Sequence, residues 1–111
     1  MAMRKSLFGL LPVAALAACQ TASIPSDSYR PILKNYYACV LVRADRYAAT
    51  SNEDPYYLAL ASRDACGRER QIAQEAVFAS ERPAVAGRIW KIYDDGLITD
   101  MTARITRKRQ G

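Results

Sequence analysis

The stretch Tyr29-Arg30-Pro31-Ile32-Leu33-Lys34-Asn35-Tyr36-Tyr37-Ala38-Cys39-Val40-Leu41-Val42-Arg43-Ala44-Asp45-Arg46-Tyr47-Ala48-Ala49 carries a helical period that persists for its whole length. At about 100° per residue, Ile32, Leu33, Tyr36, Tyr37, Val40, Leu41, Ala44, Tyr47 and Ala48 share one broad apolar face. Lys34, Asn35, Asp45 and Arg46 lie opposite, and only Val42 breaks the segregation. Asp27 or Ser28 can cap the start, and Pro31 falls in the first turn, where its missing N–H costs nothing. The reading is an amphipathic helix over about 29–49 with Cys39 at the rim of its apolar face.

Downstream, Thr50-Ser51-Asn52-Glu53 is a turn, and Asp54-Pro55 is a helix start with Asp54 as N-cap. A second helix is expected to run to about Ala79. Leu58, Ala59, Ala61, Ala65, Cys66, Ile72, Ala73, Ala76 and Val77 would form its apolar face, with Arg63, Gly67, Arg70, Gln71 and Gln74 opposite. So short a connection between two helices makes an antiparallel hairpin. Ser80-Glu81-Arg82-Pro83 ends the second helix and can start a third. Val85, Ile89, Ile92, Tyr93 and Ala103 keep helical spacing, whereas Asp94-Asp95-Gly96 is also a hairpin signal. The expectation is a helix to about Arg104, and residues 84–106 stay open between one helix, a kinked helix and a hairpin. Trp90 is the largest side chain available to complete the core, and Arg104-Ile105-Thr106-Arg107-Lys108-Arg109 reads as a basic tail.

Upstream the composition changes. Arg4 and Lys5 form a positive start, and Leu7 to Leu16 is an apolar run of about the length of a signal h-region and too short for a spanning helix. Pro12 interrupts it further. Leu16-Ala17-Ala18-Cys19 follows, small residues directly before a cysteine, and then the polar Gln20. These residues resemble the lipobox of bacterial lipoproteins. The resemblance implies a signal peptide over 1–18, cleavage before Cys19, a diacylglyceryl thioether on the Cys19 sulfur and acylation of the freed amine. Several acyl chains make a stable anchor, because each buried methylene contributes about 0.8 kcal/mol. Gln20, rather than Asp, after the cysteine favours the outer membrane over retention at the inner one. Residues 19–27 are too small and polar to offset their ordering entropy and read as a flexible tether, leaving 28–111 as the folded domain.

Removing 1–18 from 111 residues leaves room for one small domain, which gains from covalent staples. Arg4 and Lys5 leave with the leader, so a net charge of +5 falls by two, to +3. That is far from the footprint of a nucleic-acid binder, and export points the same way. The chain has no histidine, which excludes imidazole metal ligands and histidine bases; no metal or cofactor is expected. With Cys19 assigned to lipid, Cys39 and Cys66 are one pair in an oxidising compartment. Their bridge would set a hairpin register in which Tyr36 lies near Glu69 and Tyr47 near Leu58, bringing together the two apolar faces.

Few residues offer chemistry. Glu69 falls within the apolar face of the second helix and is expected to form a buried polar pair with Tyr36. No second acid, histidine or free thiol joins it, which favours a structural role over a catalytic one. Seven tyrosines could stack sugars, but the pairs Tyr36-Tyr37 and Tyr56-Tyr57 point about 100° apart and read better as rings at a core rim. The expected class is all-α: a disulfide-stapled helical hairpin plus a third C-terminal helix. The expected role is a non-enzymatic, lipid-anchored envelope module, facing the periplasm from the outer membrane, with an envelope protein as partner. The alternative is an accessory subunit or inhibitor of a secretion or conjugation apparatus.

Overall fold

The structure is a computed structural model that describes residues 28–111. The leader, Cys19 and the expected tether lie outside the described residues. Helix α1 covers 28–50, α2 Pro55–Ala65, α3 Gly67–Ser80 and α4 Pro83–Gln110. No strand occurs among the described residues.

Local chemistry sets the boundaries. Asp54 caps α2 by accepting the Tyr56 N–H at 2.9 Å, and Pro55 opens the helix. Pro83 opens α4 in the same way after an extended Arg82. The expected second helix is interrupted once, at Cys66. There the backbone leaves helical geometry (φ −106°, ψ 33°) and the Cys66 N–H bonds back to the Arg63 carbonyl at 3.0 Å. Helical bonding resumes as Arg70 N–H reaches the Cys66 carbonyl at 2.9 Å.

That break rotates α3 relative to α2, and with it the buried face. Cys66, Ala73 and Val77 are fully buried, but Ile72, expected inside, is 46 % exposed, and Ala65 is exposed as well. Ser62 takes an unexpected core position, satisfying its hydroxyl on the Leu58 carbonyl at 2.7 Å. Arg63 and Arg70, expected on the solvent side, turn toward α4 instead.

The third segment is one continuous helix of 28 residues, running past the expected end at Arg104. A tight hairpin at Asp95-Gly96 would need positive φ, and none of the described residues has it. The basic residues 107–109 are the last turn of this helix, where cations meet the negative end of the helix dipole.

Three bonds fix how α4 lies against α1: Tyr36 to Asp94, Leu33 to Tyr93 and Asp45 to Arg104, separated by 58, 60 and 59 residues. A constant offset means parallel helices, with α2 and α3 returning antiparallel between them. Ser28 and Ser80 hydroxyls meet at 3.0 Å at one end of the bundle. At the other end Arg109 donates to the Ser51 carbonyl. Tyr36, Val40 and Ala44 of α1 share one buried core with Leu58, Ala59 and Val77 of the hairpin's second arm, and Trp90, Leu97, Met101 and Ile105 of α4 complete it.

Candidate functional site

Asp94 is the polar centre of the bundle, 6 % exposed and facing three donors from the other elements. Tyr36 of α1 donates to its Oδ1 at 2.8 Å. Arg70 of α3 grips both oxygens, Nε to Oδ1 at 3.3 Å and Nη2 to Oδ2 at 2.9 Å. Arg63 of α2 adds Nη1 to Oδ2 at 3.0 Å. Burial alone pushes the Asp94 carboxyl up, but the hydrogen bonds from Arg70 and Tyr36 and both guanidinium charges outweigh it, so it sits below its ordinary value. Burial, reinforced by the Asp94 charge, drives the Tyr36 hydroxyl in the opposite direction, so it stays protonated and donating.

An aromatic wall flanks this cluster. Trp90 stacks on Tyr36 with centroids 5.9 Å apart, and the Arg70 guanidinium carbon lies 5.7 Å from the Trp90 ring centre. Tyr93 extends the wall, 6.5 Å from Trp90, and donates to the Leu33 carbonyl at 2.9 Å. Burial, with Tyr37 and Asp100 nearby, pushes the Tyr93 hydroxyl up to about 12. Donors from three helices converge on this one carboxylate, so the cluster joins α1, α2, α3 and α4, while Arg63 Nε, also buried, has no hydrogen-bond partner.

Sequence reasoning placed the polar pair elsewhere. The Tyr36 hydroxyl has one proton to donate, and it goes to Asp94 rather than to Glu69. Glu69 is half-buried beside the bridge instead, its carboxylate and both cysteine sulfurs lying within 4.8 Å of one another. Cys39 and Cys66 are joined, with Cα atoms 6.1 Å apart, so their sulfurs offer no thiolate to a metal. Asp94, Arg63 and Arg70 were missed. A spacing of seven, two helical turns, puts Arg63 and Arg70 on one side of their segment, and that was the available signal.

The remaining candidates divide by place. Tyr29 and Tyr36 are buried, Tyr37, Tyr47 and Tyr93 are half-buried, and Tyr56 and Tyr57 are exposed as an edge-on pair at 5.8 Å. The basic end of α4 is partly spent at home. Arg104 holds Asp45 through Nε at 2.6 Å and Nη2 at 3.0 Å, and Lys108 approaches the same carboxylate at 3.3 Å. Hydrogen bonding from Arg104 holds the Asp45 carboxyl below its ordinary value. The outer groove between α1 and α4, about 270 Å³, is lined by Tyr37, Ile92, Tyr93, Gly96, Leu97 and Asp100. Ile92 stands at its rim, 74 % exposed.

No described helix is long and apolar enough to cross a membrane. Residues 3–20 match the family model of the prokaryotic membrane lipoprotein lipid attachment site. The chain is a lipid-anchored lipoprotein of the cell envelope. The matched segment contains one cysteine, Cys19. Neither a curated protein nor a solved structure matches the lipoprotein.

Proposed function

We propose that the lipoprotein is a non-enzymatic interaction module, held at the outer membrane by the lipid on Cys19 and facing the periplasm. Ile92 carries this reading: a large apolar side chain left in water at the rim of a groove between two helices. Its neighbours Tyr37 and Tyr93 supply the amphipathic rings that protein contacts favour. The Asp94 cluster supports the same reading, since its carboxylate is spent on holding four helices together. Gln20 after the lipidated cysteine supports the outer membrane as the address.

Site-directed photocrosslinking in intact envelopes tests the module. A photoreactive residue at Tyr37 should give one discrete protein adduct, and Ile92→Asp should abolish it. The same probe at Gln71 should give none. An adduct at Tyr37 that survives Ile92→Asp, or no adduct at all, contradicts the groove as contact surface. Density fractionation tests the address: the wild type should travel with outer membranes, and Gln20→Asp should shift it toward inner ones.

A further inference from the structure

We infer that the Glu69 carboxylate guards the Cys39–Cys66 bridge against thiol exchange, making it a resident structural bond rather than a redox switch. A disulfide is opened by a thiolate anion, which attacks one sulfur as the other leaves as a thiolate. Negative charge is then spread over both ends of the breaking bond. The Glu69 carboxylate lies within 4.8 Å of each cysteine sulfur, so it opposes that charge whichever sulfur is attacked. Among the described residues no ion pair neutralises Glu69: Arg63 and Arg70 are committed to Asp94, and Arg68, the arginine nearest Cys66 in sequence, is exposed and forms no ion pair with Glu69.

Burial makes the opposition directional. Cys66 is fully buried and Cys39 only partly. Of the two sulfurs, an incoming thiolate should therefore attack that of Cys39. It forms a mixed disulfide there and expels Cys66 as a thiolate into an apolar site beside a carboxylate, a poor leaving group. A second thiolate then frees the Cys39 thiolate and departs as the oxidised thiol. Two electrons come from the two external thiols, and each cysteine sulfur ends by taking a proton from water.

The test is the rate of bridge opening in the membrane-extracted lipoprotein in a non-ionic detergent, with three reductants of different charge. Mercaptoethanesulfonate is anionic, mercaptoethanol neutral and cysteamine cationic; rates are compared per thiolate present. Wild type should react more slowly with the anionic thiol than with the cationic one. Glu69→Gln should speed all three and narrow the gap between them, by about 3- to 10-fold for the anionic thiol. Glu75→Gln removes the same charge nine residues, about two and a half helical turns, beyond Cys66, and it should leave the rates and the gap nearly unchanged. Acid-quenched intermediates should carry the external thiol on Cys39. Equal effects of the two substitutions, or a gap that survives Glu69→Gln, overturns the guard. Mixed disulfides found on Cys66 overturn its directionality.

Discussion

Asp94 shows how one residue can hold several elements and what that costs. Its carboxylate is buried, so its stability depends on the two guanidinium groups and the Tyr36 hydroxyl that surround it. Removing one member of a buried charge cluster leaves the others unpaired, which costs about 3–5 kcal/mol for fully buried pairs. Arg63 and Arg70 are 23 % and 36 % exposed at their side chains, so water offsets part of that. Asp94→Asn should therefore destabilise the domain by about 2–4 kcal/mol in denaturant titrations. The sign of the pH effect follows from the direction of the shift. The folded Asp94 sits below its ordinary value, so its contribution is complete above about pH 4 and fades as pH falls through the folded value. Wild type should lose stability in that acid window, and Asp94→Asn should show a shallower loss. Trp90 is the apolar counterpart, 7 % exposed and stacked on Tyr36. Trp90→Ala should cost about 3–5 kcal/mol, read from the unfolding midpoint. A shift of a degree or two would contradict its place in the core.

Among the elements, two joints decide the architecture. Cys66 is where the hairpin's second arm breaks, and the disulfide to α1 covers that break. Closing a loop with a sequence separation of 27 should contribute roughly 3–4 kcal/mol on the chain-entropy model. Cys39→Ala/Cys66→Ala should lower stability by a similar amount, measured against the oxidised wild type. Gly96 is the other joint. Because α4 is unbroken there and an added Cβ would meet nothing within 4 Å, Gly96→Ala should stabilise the domain by about 0.5–1 kcal/mol. A hairpin at the same place would make that substitution destabilising, so the sign of the change separates the two.

Those joints also mark how far the sequence could be read. The amphipathic period of α1 and the Asp54-Pro55 start were legible because each rests on local chemistry, and the pairing of Cys39 with Cys66 because export to an oxidising compartment left those two cysteines for each other. The break at Cys66 was not, since it follows from packing two arms of unequal phase against α4. Periodicity assigned Arg63 and Arg70 to solvent because charge usually marks the wet face, and only the buried Asp94 on a distant helix reverses it. Asp94-Asp95-Gly96 was ambiguous for the same reason: turn chemistry competed with a tertiary contact, and the contact prevailed.

For the whole molecule, parallel α1 and α4 separate the two ends of the bundle. Cys19 precedes α1 by nine residues in sequence, and α1 begins at the end where Ser28 meets Ser80. The basic last turn of α4 lies at the opposite end, beside Ser51, about 40 Å along a helix of 28 residues. A lipid on Cys19 and the internal Cys39–Cys66 bridge would together use all three cysteines of the chain. Intact-mass spectrometry of the protein extracted from membranes without reductant reads both at once. The predicted result is a chain beginning at Cys19 that carries diacylglyceryl and N-acyl groups and has two hydrogens fewer than the dithiol form. A chain that begins elsewhere, lacks the lipid, or retains two free thiols would contradict it.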